Sequence, residues 1–597
     1  MQAIIDFIGT IGDFMWGPWT FFVLMGAGIL FTLWTRFIQF KALTHGVAVT
    51  RGKYDNPDDP GAINHFQALS AALSATVGLG NIGGVALAIG VGGPGALFWM
   101  WVIGFLGMAL KSVEVSLAML YRNTDDPDNP HGGAMWVIDR TLGAKGGVFK
   151  VLAKILGVTF CITLIISTMT GGNMFQSWNV AALTDTYFGV PRVATGIILA
   201  MIVGAVIVGG IKRIGNVAGR LVPFMCILYL LAAFAVLFKH IPAIPALLLE
   251  VVTSAFSPEE ATGAFLGGSI GWAFSVGLRR ALFSNEAGQG SAPIAHSAAK
   301  TDEPVREGIV AGLEPFIDTI CICTLTALVI LSTDTWNRAP LGDFGGDIQL
   351  VQQTDDDGNL LPVWSVQTTA GIEALPAPAN KEAWAADDAI FLVAEIQGAT
   401  RQKRGFNRIQ LRAKITQEEE GSPLMIDWED LDPHGRADWE GSITGATLVD
   451  SGIHQSFDGA PLTALAFDNA YPGLGKWLVT FAAWLFAIST MISWSYYGEQ
   501  GMVYMLGEKS VLPYKLLFLV LVIVAAVWIT DTDDMERLMD LGTGAMLWAN
   551  MPIVLMMGYI AVGELNRYFR RLKAGEFQPH AAPSFADVVS GKDVKKD

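Results

Sequence analysis

The sequence predicts an all-α polytopic membrane protein that carries one polar insertion. Three observations lead there. Of the 597 residues, 52% are hydrophobic and only 16% charged, a balance foreign to soluble globular chains. Apolar runs of about 20 residues, the length that crosses a hydrocarbon core as a helix, recur along the chain. One long polar stretch, roughly 332–474, holds much of the acid behind the net charge of −16.

Taken in order, the apolar runs give eleven expected spans, centred on 18–38, 66–90, 95–120, 155–177, 189–210, 220–238, 264–298, 307–331, 475–498, 513–530 and 540–564. The first follows Asp13 with no Lys or Arg before it and no small-residue cleavage pattern, so it reads as a retained span and not a signal peptide. The second contains SATVGLGNIGGVA from Ser74 to Ala86, with Gly78, Gly80, Gly83 and Gly84 around Asn81. A small-residue packing face would also use glycines. Gly78 and Gly80 lie two apart, however, and cannot share a helical face, while Asn81 adds polarity that packing does not need. Unwound backbone at membrane depth must line a cavity or bind something, because amides facing lipid would each cost several kcal/mol. The third span carries Lys111 and Glu114, three apart on one face, read as a pair turned toward protein or water. The seventh is interrupted by Arg279, Arg280, Asn285 and Glu286 and is the natural second broken helix.

Basic residues test the count. With the N-terminus outside, the inner segments hold Arg36, Lys41, Arg51 and Lys53, then Arg122, Arg140, Lys145, Lys150 and Lys154, then Lys212, Arg213 and Arg220. They continue with Lys300 and Arg306, Lys509 and Lys515, and Arg567, Arg570, Arg571 and Lys573, whereas only Arg192, Lys239, Lys476 and Arg537 lie near outer ends. This asymmetry predicts an outer N-terminus, a cytoplasmic C-terminus and an odd number of spans. The domains follow: 1–334 with eight spans, an insertion at 335–455, 456–566 with three spans, and a cytoplasmic tail at 567–597. Within the insertion, runs such as 389–393, 409–415 and 424–428 have β character between turn formers, so a small β-rich outer domain is expected.

Enzyme chemistry finds no foothold. His296 stands beside Ser291 and Ser297 with no acid at triad-like spacing, and Cys161, Cys226, Cys321 and Cys323 all lie in apolar runs that offer neither a disulfide framework nor a metal spacing. The glycines around Asn81 lie in an apolar span, not between a soluble strand and helix, which excludes a nucleotide loop.

Four motifs carry a family resemblance: the glycine-rich stretch, Gly132-Gly133 with TGGNMFQ at 170–176, FSNEAGQGSAP at 283–293, and ISTMISWSYYGE at 488–499. Together they resemble the bacterial alanine or glycine:cation symporters over nearly all the spans. The resemblance implies the five-plus-five inverted repeat of the amino-acid and neurotransmitter sodium symporters, with one extra N-terminal span. It puts the first helix of each repeat, and its break, at Gly78 to Asn81 and at Ser275 to Arg280. It further implies residence in a bacterial inner membrane and uptake of alanine or glycine driven by sodium. Most of 335–455 has no counterpart in it.

Opened helix ends offer donors for an amino acid's carboxylate and acceptors for its ammonium. The amides of Gly78, Leu79, Gly80 and Asn81 suit the carboxylate, and the carbonyls of Thr76 and Val77 suit a sodium ion or the ammonium. Thr76 could instead back-bond within its own helix. The family motif brings Gln176 to the same cavity, and the second break would bring Phe274, Ser275 and Gly277. Thr490 and Trp494 share a helical face, as do Ser489 and Ser493. Hydroxyls of Ser489, Thr490 and Ser493 opposite carbonyls are hard-cation chemistry, while Trp494 can wall a small side chain. Glu286 is expected to pair with Arg279 or Arg280. Together with Glu314, Asp318 and Glu499 it keeps proton coupling open as an alternative. A sensor that uses a transporter scaffold and signals through the insertion is the other alternative class. The expected partners are a small neutral amino acid, a sodium ion and the lipid bilayer, with no cofactor and no nucleic acid.

Overall fold

The computed structural model describes residues 11–12, 14–56, 58–256, 270–354, 360–378, 383–386, 388–397, 400–401, 408–417, 422–431, 439–440, 443–457, 459–529, 532–579 and 581–591. Seven of its helices are long and apolar enough to cross a membrane, and two bent pairs raise the number to nine among the described residues. The first bent pair joins α1 (Pro18–Trp34) to a short helical stretch after a 65° bend. Arg36 and Phe37 make that corner with positive φ.

The second pair holds the glycine-rich stretch. Helix α2 (His65–Thr76) starts on a capping box in which Asn64 and Gln67 satisfy each other's orphan backbone amides. It stops at Val77, whose ψ of 86° is not helical. After Gly78 and Leu79 the chain re-enters a wide turn at Gly80–Gly84 and continues as α3 (Val85–Gly92), bent 53° from α2. The opening expected at Gly78 to Asn81 is where the sequence placed it.

Next come α4 (Gly95–Leu120), α5 (Gly147–Met169) and, through a second wide turn at Thr170–Met174, α6 (Phe175–Phe188). The expected fifth span is α7 (Arg192–Ile207), at 16 residues only about 24 Å long by helical rise. Helix α8 (Gly210–Lys239) is followed by α9 (Ile244–Ser254), which a 20-residue criterion passes over.

The seventh span departs from expectation. Its beginning, 264–269, lies outside the described residues. From there α10 (Ile270–Asn285) runs without interruption through Ser275 to Arg280, so the expected break is absent from that position. The chain leaves the helix at Glu286, with φ of 55°, and turns over Gly288 and Gly290, both with positive φ. The physical reason is local: glycine tolerates this left-handed backbone, whereas 278–285 contains no residue that would open a helix. Beyond the turn lie α11 (Ala292–His296), α12 (Pro304–Ala311), a wide-turn segment at Phe316–Cys323 and α13 (Thr324–Ser332).

Among the described residues, 342–455 carry ten strands, of which β2 (Ile348–Thr354) pairs with β3 (Leu360–Thr368) and β5 (Thr400–Arg401) with β8 (Trp439–Glu440). A six-stranded antiparallel sheet runs in the order β1 (Gly342–Asp343), β10 (Gly452–Gln455), β4 (Ala389–Gln397), β6 (Arg408–Thr416), β7 (Met425–Trp428), with β9 (Gly445–Leu448) also on β4. It has its own apolar core around Ile390, Leu392, Leu411 and Ile453. The chain then returns through α14 (Ala460–Ala470), α15 (Thr480–Leu506), α16 (Val511–Trp528) and α17 (Thr532–Lys573).

Candidate functional site

The opening between α2 and α3 faces α6, α10, α14 and α15. Gly78 lies against α15 so closely that a Cβ there would sit 2.5 Å from Thr490 Oγ1 and 3.6 Å from Gln176 Oε1. A Cβ on Gly80 would lie 3.1 Å from the Phe283 ring. Trp494 packs on Gly172, where a Cβ would lie 2.4 Å from its indole. These glycines are required by close approach.

The amides expected to meet a carboxylate are held by side-chain oxygens. Gly78 N–H donates to Asn81 Oδ1 (2.9 Å) and Leu79 N–H to Gln176 Oε1 (3.5 Å), while Gln176 Nε2 donates to the Gly171 carbonyl (3.0 Å). The Thr76 hydroxyl turns back to the carbonyls of Ala72 (3.3 Å) and Leu73 (3.4 Å), the local alternative for that residue. Ser489 and Ser74 exchange contacts between α15 and α2: Ser74 Oγ donates to the Ser489 carbonyl (2.7 Å), and Ser489 Oγ reaches the carbonyls of Phe486 (2.9 Å) and Ser74 (3.3 Å). The Thr490 and Ser493 hydroxyls, by contrast, are buried with no hydrogen-bond partner among the described residues.

Phe274 and Gly277 are turned to other neighbours, on the stretch of α10 that also holds Ser275. Phe274 packs edge-on to Phe21 and Trp99, and a Cβ on Gly277 would meet the Ala96 carbonyl at 2.4 Å, so this part of α10 serves the packing against α1 and α4. Because the helix continues to Asn285, it is Phe283 and Ser284 that reach Gly80 and Asn81. The two glycines of the AGQG sequence, 288 and 290, were the signal for this shift.

Asp318 is a further member of the site. Fully buried, it accepts from Asn81 Nδ2 (2.5 Å), Ser284 Oγ (2.7 Å) and Thr319 Oγ1 (2.8 Å), and Asn285 Nδ2 supports Thr319 Oγ1 at 3.1 Å. The carboxylate thus ties both openings to the wide turn of the eighth span through neutral donors. Among the described residues no group of three metal-ligating His, Cys, Asp or Glu exists, so any ion held here meets hydroxyls, carbonyls and a carboxylate.

A second polar cluster lies toward the other end of α2 and corrects three expectations. Lys111 pairs with Glu314 (2.9 Å) and not with Glu114, which accepts from Asn550 Nδ2 (2.5 Å). Glu286 accepts from Ser291, while Arg279 faces Asp540 at 3.8 Å. His296 is not alone: its two ring nitrogens meet Glu307 and Glu314. Side chains that far apart in sequence give no periodic signal.

Comparison with known proteins places the chain in a family. The model of the sodium:alanine symporter family matches residues 1–355 and 441–582, passing over 356–440. The chain is 32% identical to the sodium/alanine symporter AgcS of Methanococcus maripaludis, over 96% of this chain and 98% of that one. It is 37% identical to the amino-acid carrier protein AlsT of Bacillus subtilis, over 55% of this chain and 67% of that one. It is 36% identical to a Bacillus subtilis protein named "Probable sodium/glutamine symporter GlnT", over 57% and 68%. With a family match over most of its length and an opened membrane helix at its centre, the chain belongs to the sodium:alanine symporter family, whose members are transporters and not enzymes.

Proposed function

We propose that this protein takes up a small neutral amino acid, alanine or glycine, together with sodium by alternating access. The observation that carries the reading is the opening at Gly78, where the Thr490 hydroxyl, buried without a hydrogen-bond partner among the described residues, and the amide of Gln176 meet the opened backbone, with Phe283 packed on Gly80. Asn81 Oδ1 and Gln176 Oε1 sit on the Gly78 and Leu79 amides as a substrate carboxylate would. Exchange of one set of oxygens for the other would let the site close empty or loaded. The aromatic walls favour a short side chain, since overlap with packed rings is costly. Sodium is assigned to Thr490 and Ser493 opposite the Thr76 and Val77 carbonyls, with Ser489 bracing α2 against α15.

In the same proposal the chain forms eleven spans, the last ten as two inverted repeats of five, with α7 and α10 completing the count. The distribution of Lys and Arg supports an outer N-terminus and a cytoplasmic C-terminus in an inner membrane. The insertion is then an outer accessory domain.

Asp318 favours a second reading, proton coupling. The hydrogen-bond donors to this buried carboxylate are neutral among the described residues, with Lys111 the charge that acts on it from further off, so a bound cation or a proton would offset its burial. Uptake of labelled alanine by membrane vesicles tests both: the sodium reading expects uptake to collapse when sodium is replaced by choline at constant pH. Undiminished uptake in choline would overturn it in favour of the proton.

A further inference from the structure

The bridge Glu307–His296–Glu314 contains more hydrogen bonds than a neutral imidazole can make. His296 Nδ1 lies 2.5 Å from Glu307 Oε1 and Nε2 lies 2.7 Å from Glu314 Oε1. All three side chains are fully buried. A carboxylate only accepts, and a neutral imidazole has a single N–H. One of the two contacts therefore needs an extra proton, on the second ring nitrogen or on a carboxyl group. The other oxygens are already spoken for: Glu307 Oε2 meets His65 Nδ1, and Glu314 Oε2 meets Lys111 Nζ at 2.9 Å. With His296 as imidazolium, its charge and that of Lys111 balance the two carboxylates. Without the proton, one buried negative charge is left uncompensated.

From these counts we infer that the Glu307–His296–Glu314 bridge is a proton-binding site, loaded and emptied from the end of the molecule where Asp55 lies. The inference rests on the transport reading and on its topology, which makes that end cytoplasmic. His65 opens α2, and its Nε2 stands 4.0 Å from Asp55 Oδ1, on a residue that is 18% exposed. A proton adds to the lone pair of His65 Nε2. The Nδ1–H bond then breaks toward Glu307 Oε2, leaving its electron pair on the ring. The Glu307 carboxyl group turns and hands the proton to His296 Nδ1, its O–H electron pair returning to the carboxylate, while the His65 ring turns over so that its newly protonated nitrogen donates to Glu307; release runs the same steps backward. The charged and titratable groups facing the bridge are His65 and Asp55 from the start of α2, Lys111, Glu114 and Arg122 from α4 and its end, Glu286 from the turn after α10, and Tyr497 from α15. The loaded bridge links α11, α12 and, through Lys111 and His65, α4 and the inner half-helix α2. Loss of the proton sets two carboxylates against each other there, so the inner end closes only when the site is loaded.

The test uses right-side-out membrane vesicles with a fixed inward sodium gradient, fixed external pH and labelled alanine. The lumenal pH is stepped from about 6 to about 9, across which a histidine-carboxylate site exchanges its proton. Wild type is expected to lose initial rate several-fold as the lumen becomes alkaline. Glu314→Gln is expected to be flat, because the new amide donates to a neutral His296 and still accepts from Lys111, so the bridge forms without the extra proton. Glu307→Gln is expected to behave alike and serves if the first variant fails to reach the membrane. A flat wild-type profile, or an unchanged wild-type slope in either variant, overturns the proton site. Absence of wild-type uptake at every pH strikes the transport reading instead. Thermal unfolding of the same proteins in detergent then decides the bridge, with wild type alone expected to lose stability over this range.

Discussion

Thr490 Oγ1 rests on the backbone of Gly78, at a point where a Cβ would approach it to 2.5 Å. A methyl group cannot enter without displacing α15 or rotating the hydroxyl away from the opening. Gly78→Ala is expected to reduce uptake strongly while costing about 1–3 kcal/mol of stability, the range for overpacking. Gly78→Ala combined with Thr490→Ala removes the clash and is expected to recover the stability but not the sodium dependence. Uptake and thermal unfolding of the single and double variants check this, and unimpaired transport by Gly78→Ala would contradict the close contact.

The first opening was legible because four glycines and an asparagine inside an apolar run have no simpler use. The second was misplaced for a physical reason. Arg279 and Arg280 interrupt the hydropathy of α10, but a charged side chain does not break a helix, and Arg279 is accommodated beside Asp540. What breaks it is left-handed backbone that starts at Glu286 and is carried on by Gly288 and Gly290. This shift of about three turns moves Phe274 to a packing role and brings Phe283 to Gly80. The pairings of His296, Lys111 and Asp318 join segments distant in sequence, where neither periodicity nor spacing reaches.

Removing the hydroxyls of Thr490 and Ser493 is expected to raise the sodium concentration needed for half-maximal uptake by about tenfold or more, since two oxygen donors of a hard cation are lost together. Maximal uptake at saturating sodium is expected to fall less. The two hydroxyls have no other described partner whose loss would confuse the reading. Sodium titrations of alanine uptake measure it, and an unshifted curve would take both residues out of the ion site.

Trp494 fills the space over Gly172 and meets Tyr497 edge-on, with ring centroids 5.5 Å apart. Trp494→Leu is expected to admit valine and leucine as competitors of labelled alanine, with each added methylene now worth about 1–3 kcal/mol of contact. Gln176→Ala is expected to weaken every substrate alike, because Gln176 Oε1 stands on the protein's own Leu79 amide, which in the proposal receives the carboxylate that all amino acids share. Competition assays on both variants separate these effects. An unchanged preference in Trp494→Leu, with expression intact, would remove that residue from the pocket.

In the inserted sheet, His454 on β10 stacks on Phe391 at 5.0 Å, and burial, reinforced by Arg338, pushes its pKa down to about 4. The folded protein therefore keeps His454 neutral where an unfolded chain would begin to protonate it, near pH 6.5. Its contribution to stability is present above about pH 6.5 and is lost as pH falls toward 4, where the unfolded state binds the additional proton. His454→Gln in the full-length protein is expected to flatten this part of the unfolding profile relative to wild type. Identical acid sensitivity in the two proteins would count against it.

The insertion leaves and rejoins the transmembrane body at one place. Strands β1 and β10 pair antiparallel, with Gly342 opposite Ile453 and Asp343 opposite Gly452. Across an antiparallel pair this register puts the two Cα atoms about 5 Å apart, a gap that a two-residue turn closes. Replacing residues 344–451 by Asn-Gly therefore keeps the β1–β10 ladder and, beyond it, the entry into α14. That entry matters, since Ala460 N would lie 2.9 Å from a Cβ on Gly83, and Thr463 Oγ1 donates to the Ile82 carbonyl at 2.9 Å, holding α14 against the α3 side of the opening. The deleted stretch contains all of 356–440, the part that the family model passes over. Among the described residues it contributes none to the opening around Gly78. The shortened protein is expected to insert, to retain sodium-dependent uptake within a few-fold of wild type, and to lose only the sheet. Correct insertion with complete loss of uptake would make the insertion part of the transport machinery. Labelling of a cysteine introduced into the intact insertion from the cytoplasmic side alone would reverse the proposed topology.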